Sequence, residues 1–464
     1  MIVALVCGLG FAALVAAPQA ALAQTRTLQE ALGAAYTNNP ALQAARAQLR
    51  ATDENVPAAL AGWKPTVSMS GSFGRAFGDQ TSTVSGFPIT TRQTRATTAY
   101  TGTVSQPIYR GGRTRATTNR AENLVLTQRA KLIASEQQVF SDTVAAFVSV
   151  IAATQVLALN VNNEQVLTRQ LQATNDRFRV GEITRTDVAQ AEAALAGASA
   201  TRQTAEGNLQ TTRSQFQKMV GELPETLVEP QPLKLPTKTL EEAKALAMTN
   251  NPTLVAAMFQ NASDKDNFDL QYSALMPNVA LQGVGSFNNS VSQAKVKSTS
   301  GSVTAQVTVP IYQGGSEYAS IRSARQTEQQ SRRLIDDAKR TAQQQLVSAW
   351  ETYQAAKSTI ESTRTQIRSN QIALEGTQRE AIVGSRTTLD VLNAEQTLLN
   401  SRTTLVNNLG SLVTASYAVA AAVGRLTARD LALPVPYYDE TAYYNAVRDR
   451  WMGTGDFATG EPGR

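Results

Sequence analysis

Histidine is absent from this 464-residue chain, and cysteine occurs once, as Cys7. Cys7 sits in an apolar run over residues 2–17 that closes on Ala21-Leu22-Ala23, a pattern that fits a secretory signal cleaved before Gln24. The run carries no Lys or Arg, which makes a weak n-region. A membrane anchor is the alternative, but the run is short and ends in small residues. With residues 1–23 read as an export signal, the mature chain has neither Cys nor His. That excludes disulfides, thiol nucleophiles, Cys/His zinc sites and Ser-His-Asp triads together, and no cofactor is implied. A lipid-attachment cysteine at the mature N-terminus is missing too. Beyond the leader, no stretch approaches the roughly 18 consecutive apolar residues of a spanning helix, so any passage through a membrane must use strands. The net charge of +6 and pI near 9.4 raise the question of nucleic acid. Lys and Arg are interleaved with Glu, Asp and Gln along helical stretches rather than clustered, which reads as a solvated mixed surface and not a nucleic-acid site.

What the chain does contain, it contains twice. "QPIYRGG" over 106–112 returns as "VPIYQGG" over 309–315, and "TLQEALGAAYTNNPALQAA" over 27–45 returns as "TLEEAKALAMTNNPTLVAA" over 239–257. "RVGEITRTDVAQAEAAL" over 179–195 matches "IVGSRTTLDVLNAEQTL" over 382–398. The offset falls from 212 to 203 because 65–107 is nine residues longer than 277–310. The mature chain is therefore a tandem duplication: a first repeat over 24–220, a Pro-rich linker over 221–238, a second repeat over 239–427 and a tail over 428–464.

Between Pro65 and Pro107, and between Pro277 and Pro310, apolar and small polar residues alternate with period two, the strand signature. Val67, Met69, Gly71, Phe73 and Phe77 share one side of the first outgoing strand. Val303, Ala305, Val307 and Val309 share one side of the last. Each hairpin is read as two strands of about ten residues, enough to cross a tilted bilayer span, with Phe73 and Phe77 toward the tips and Tyr109 and Tyr312 at the bases. Two soluble surface hairpins are the alternative, but isolated hairpins are marginal and nothing local covers these apolar faces. Four strands cannot close a barrel. Two copies would supply eight strands, and three would supply twelve, wide enough for a passage.

The rest reads helical. Residues 112–179 and 315–379 lack Pro, and Gly376 is the one interior Gly, so each predicts a rod of about 100 Å. Phe140, Val144, Phe147 and Ile151, and likewise Leu346, Trp350 and Tyr353, step as a coiled-coil seam. Pro65, Pro107, Gly111, Gly112, Pro277, Pro310, Gly314 and Gly315 mark strand-to-helix junctions; the Gly pairs could also bind an anion, but no P-loop Lys-Ser/Thr follows. Gly181 and Gly384 predict left-handed stops where each rod turns back. Asp187 and Asp390 follow early in the returning helices. Each stabilises a helix N-terminus by about 0.3 to 1 kcal/mol if it acts alone, or forms a ring of like charge at a mouth if copies surround an axis, where Arg386 could pair with such a carboxylate. In the tail, Tyr444, Val447 and Trp451 step as a packed stripe on a short helix.

Taken together, the duplicated helix–hairpin–helix halves and the TNNP, PIYxGG and VGxxTxxDV strings resemble the TolC family of outer-membrane export channels. The segment over 424–451 looks most like the branch serving type I protein secretion, and the missing lipid-attachment cysteine agrees. The resemblance implies an α+β membrane protein that is non-enzymatic and assembles as a homotrimer. Two hairpins per chain would build a shared 12-stranded barrel in outer-membrane lipid, above a periplasmic tunnel of antiparallel coiled-coil helices. An inner-membrane ABC transporter and a periplasmic adaptor would dock below. It further implies that a closed entrance is latched by Thr186, Asp187 and Arg386, narrowed by a ring at Asp390 and Asn393, and opened by an iris-like movement. Ala381 stands where the best-known member has a latch tyrosine, and Asn393 where it has a second ring aspartate. One latch contact should then be absent, and cation block at the mouth weaker.

Overall fold

A computed structural model describes residues 27–291 and 295–455. Cys7 and the segment read as an export signal lie outside the described residues. Each repeat begins with short helices set end to end. In the first these are α1 (Leu28–Asn38), α2 (Pro40–Asp53) and α3 (Asn55–Leu60), followed by a 3₁₀ turn, Ala61–Trp63. Thr27 opens α1 with a capping box closed by Glu30. The TNNP string forms the next joint: Asn39 caps α2 through its side-chain oxygen, Pro40 occupies the first turn where no N–H is needed, and Asn39 Nδ2 donates to Met219 O at 3.1 Å.

The first hairpin follows as β1 (Thr66–Val84) and β2 (Phe87–Arg110), then the rod α4 (Arg113–Arg179) and its return α5 (Arg185–Val220). The second repeat runs through α6 (Leu240–Asn250), α7 (Pro252–Tyr272), a 3₁₀ turn at Ser273–Leu275, β3 (Asn278–Asn289), β4 (Lys297–Thr308), α8 (Ser316–Ile382) and α9 (Thr388–Val423). Asn251 repeats the joint, capping α7 and donating to Ala422 O at 3.3 Å. The repeats differ at Pro57, which lacks the N–H that would continue a helix. The first repeat breaks there into α2 and α3, whereas α7 runs unbroken through the matching Asp269. The break buries Asp53, 1% exposed, with neither carboxylate oxygen accepting a hydrogen bond.

The rods α4 and α8 are each 67 residues, about 100 Å long. Each packs against its return helix along one half and against the short helices of the repeats along the other. The core lies at the meeting point as an equatorial belt. Phe140, Val144 and Phe147 of α4 pack there with Phe216 of α5, Leu32 and Leu42 of the first helices, and Tyr417 of α9. Leu346 and Trp350 of α8 form the matching cluster with Val419 and Val423. Both seams expected from the sequence are thus in the belt.

By composition, α4 and α9 do hold stretches long and apolar enough to span a bilayer, which the count of uninterrupted apolar residues passed over. Their large side chains supply the belt core instead. After α9, residues 424–455 form a strap that returns along α4 and includes the single turn of helix α10 (Ala442–Val447). Tyr444 and Val447 pack as expected, but Trp451 lies beyond the helix and is exposed.

Candidate functional site

The four strands form one antiparallel sheet in the order β1-β2-β3-β4, so both hairpins share a wall and β1 and β4 are left as open edges. Register places Val67, Val104, Gly283 and Val303 in one row across the sheet, and Met69, Gly102, Gly285 and Gly301 in the next. The four apolar sides therefore coincide in a continuous exposed face. The opposite face carries Ser68, Ser70, Thr101, Thr103, Ser302 and Thr304. This is the division a membrane barrel needs: apolar groups toward lipid and wettable groups toward a lumen.

An aromatic row of Phe73, Tyr100 and Phe287 crosses three strands, with ring centroids 5.5 and 6.3 Å apart. It lies seven residues above Thr66, or about 23 Å along the strand, which at a barrel tilt near 40° is about 18 Å of height, within an apolar band of about 25 Å. Beyond it the first hairpin continues as a two-stranded ribbon to a turn at Ser85 and Gly86, both at positive φ. β1 and β2 are therefore 19 and 24 residues long, not about ten, so Phe73 and Phe77 lie partway along the first hairpin rather than at its tip. Past Arg75 the apolar side gives way to small polar residues, and the ribbon is tied across its strands by a Thr81–Thr90 hydroxyl bond of 2.8 Å.

The PIYxGG strings sit at the base of the wall. Pro65 and Pro277 immediately precede β1 and β3, Pro107 flanks a register shift in β2, and Pro310 follows the end of β4. Gly112 and Gly315 are the N-caps of the two rods, at φ +84°. Gly111, at φ +61°, is required twice over, because a Cβ there would lie 2.3 Å from Met276 Cβ in the other repeat. Its counterpart Gly314, at φ +76°, meets nothing within 4 Å.

At the far end of the rods, both turns are Schellman motifs. Glu182 N donates to Arg177 O at 3.0 Å and Gly181 N to Phe178 O at 2.9 Å; Ser385 N donates to Glu380 O at 3.0 Å and Gly384 N to Ala381 O at 3.3 Å. Gly181 and Gly384 take φ +80° and +78°, as the sequence predicts. Asp187 and Asp390 close capping boxes with Thr184 and Thr387. The Thr184 hydroxyl and backbone N–H hold Asp187 below the usual carboxylate range, and the Thr387 N–H and hydroxyl do the same for Asp390. Both are therefore charged at neutral pH, and their support of the turns is lost only as pH falls through those lowered values.

Arg386 bonds Glu380 across its turn at 3.0 Å rather than Asp187 or Asp390, and Arg177 bonds Glu182 across the other at 2.6 Å. The T-x-x-D spacing that marks the boxes was readable in the sequence, whereas the two turn-spanning ion pairs were not. Thr186 and Asn393 are exposed on the returning helices, and Ala381 packs with Leu374, Val391 and Leu398. Val180 and Val383, 79% and 78% exposed, crown the tips.

A lipid-facing half-wall joined to paired rods with charged, capped tips defines a subunit of an outer-membrane channel with a helical periplasmic tunnel, a conduit with no catalytic role. A family profile described as outer membrane efflux protein matches residues 31–222 and 245–425. The chain belongs to this family, the TolC family. It is 33% identical over 436 residues to the outer membrane efflux protein BepC of Brucella suis, covering 94% of this chain and 93% of BepC. It is 26% identical over 239 residues to the proteases secretion protein PrtF of Dickeya chrysanthemi, covering 49% of this chain and 51% of PrtF. Among solved structures, the channel CusC superposes with a TM-score of 0.76 at 17% identity, covering 86% of this chain and 92% of CusC.

Proposed function

We propose that this chain is the outer-membrane conduit of an efflux pump for small molecules. Three copies would close one 12-stranded barrel over a common tunnel, and an inner-membrane transporter and a periplasmic adaptor would engage the tips. The observation that carries the efflux reading is the higher identity to BepC, 33% along nearly the whole of both chains, set against 26% to PrtF. That reverses the ranking drawn from the tail segment over 424–451, which put type I protein secretion first. Export of polypeptides remains the second reading, favoured by that segment and by the partial match to PrtF. The geometry is consistent with either cargo, since a passive tunnel reads size and charge loosely.

The open edges β1 and β4 support assembly, because unpaired backbone in hydrocarbon costs several kcal/mol per group. At the entrance, we assign Thr186, Asp187 and Arg386 to the latch and Asp390 and Asn393 to the ring. The half-exposed carboxylates of Asp187 and Asp390 at the rod tips support this. The apolar crown of Val180 and Val383 is the surface offered to the adaptor. Deleting the gene while following drug tolerance and secreted polypeptides separately tests the assignment. Drug hypersensitivity with intact secretion is expected; lost secretion with unchanged tolerance would overturn it.

A further inference from the structure

The strap climbs α4 by a series of polar ties. Ala428 N donates to the Glu136 carboxylate at 2.6 Å, the Arg129 guanidinium lies over the Tyr444 ring at 5.3 Å, and Arg448 pairs with Glu122 at 3.3 Å. From Glu136 to Glu122 it rises about 21 Å toward the barrel. At the top, Lys64 Nζ donates to Arg450 O at 2.8 Å and stands 5.0 Å from the Trp451 ring centroid. Lys64 is two residues from the start of β1. The strap thus reaches from the belt to the level where the lipid-facing wall begins.

Its end is a built turn. Arg450 Nε donates to Met452 O and Nη1 to Gly455 O, at 3.3 and 3.2 Å, and Gly453 sits at φ +111°. This turn presents Trp451 and Met452 outward, 67% and 85% exposed, and Trp63, next to Lys64 in the chain, is half-exposed too. Large apolar side chains held out by an ordered turn do not stabilise the chain that carries them.

Two features of the surroundings name the occupant. The turn is tied to Lys64, two residues before β1, and the first residues of that strand on the sheet's apolar face, Val67 and Met69, are themselves exposed. The collar is also basic: between 55 and 121, apart from the ribbon with Arg75, Arg92, Arg95 and Asp79, the charged residues are Lys64, Arg110, Arg113, Arg115 and Arg120, set against Asp449 on the strap. Lys64 is in the collar itself, and a Cβ on Gly62 would lie 3.0 Å from the Arg110 guanidinium. Trp seeks the headgroup zone of a bilayer, and cationic side chains there attract phosphate.

We propose that the strap ends in a lipid-binding foot, in which Trp451 and Met452 insert at the headgroup–acyl boundary of the periplasm-facing leaflet and Lys64 and Arg110 supply charge for phospholipid phosphate. The foot rests on the outer-membrane reading of the sheet and would tie the belt directly to the bilayer surface.

Nitroxide labelling tests it cleanly, because a Cys7→Ser background leaves no other thiol. The full-length protein, labelled singly at Met452→Cys, Val67→Cys or Thr226→Cys, is reconstituted in vesicles of phosphatidylethanolamine and phosphatidylglycerol. Position 452 should collide more with oxygen than with a water-soluble nickel chelate, as position 67 does, with the reverse order at the linker position 226. Nickel-accessible 452 beside lipid-exposed 67 would overturn the foot and leave the barrel reading standing. Low collision with both reagents at 452 would also overturn it, by showing a protein segment or a sister copy in place of lipid. Nickel-accessible 67 would sink the membrane reading, and the foot with it.

Discussion

Asp187, Asp390 and Arg386 each have an occupation inside the single chain, and that decides which substitutions are informative. Asp390 closes a capping box on Thr387, so replacing it with Ala removes the box's return hydrogen bond along with the charge. Asp390→Asn keeps an acceptor for Thr387 and removes only the charge; single-channel recordings in planar bilayers should then show weaker block by divalent cations from the tunnel side. Arg386→Ser frees Glu380 and should raise conductance, and an unchanged value would reject the latch.

Asp53 offers a second residue-scale prediction. Burial pushes its carboxyl up to about 7, with Arg129 opposing the shift. A raised carboxyl binds its proton more tightly in the folded state, so its stabilising contribution is full at low pH and lost as pH rises from about 4 through 7. Asp53→Asn should therefore stabilise by up to about 4 kcal/mol at pH 8 and by almost nothing below pH 4 in thermal melts.

Among the elements, the sheet makes the clearest demand. Val303 is central in β4 on the apolar face, and Ser302 is its neighbour on the polar face. Val303→Arg should cost about 2 to 4 kcal/mol near the bilayer midplane, while Ser302→Arg should assemble normally and alter ion selectivity. Urea titration of reconstituted protein reads the first, and reversal potentials read the second. The helices divide their labour by length: the 67-residue rods span tunnel and belt, and their 36-residue returns end where TNNP caps the next helix. Asn39 and Asn251 join those ends, which explains why the string is written in both halves.

At the scale of the whole molecule, the duplication predicts how copies join. Within the chain β2 pairs with β3, setting Thr103 opposite Val284 and Ser105 opposite Gln282. Applying the repeat offsets of 203 and 212 turns these pairs into Gln306 opposite Ser72 and Thr308 opposite Ser70. That is the expected register between β4 of one copy and β1 of the next. In the Cys7→Ser background, Ser72→Cys with Gln306→Cys should oxidise to a covalent trimer on denaturing gels. Ser68→Cys with Gln306→Cys, out of register, should not.

Local chemistry was enough to write the element order. Period-two alternation, proline and glycine pairs, T-x-x-D caps and long stretches free of Pro and interior Gly all act within a few residues, so the duplication, the junction glycines and the rod lengths were legible in the chain alone. The ribbon beyond Phe73 was not, because its Thr- and Ser-rich strands are stabilised by each other rather than by an apolar face. Contacts between residues far apart in sequence depend on which surfaces meet in space. Only the tertiary structure could decide that Arg386 holds Glu380, that apolar stretches of α4 and α9 form a belt core instead of crossing lipid, and that the tail runs back to place Trp451 beside Lys64.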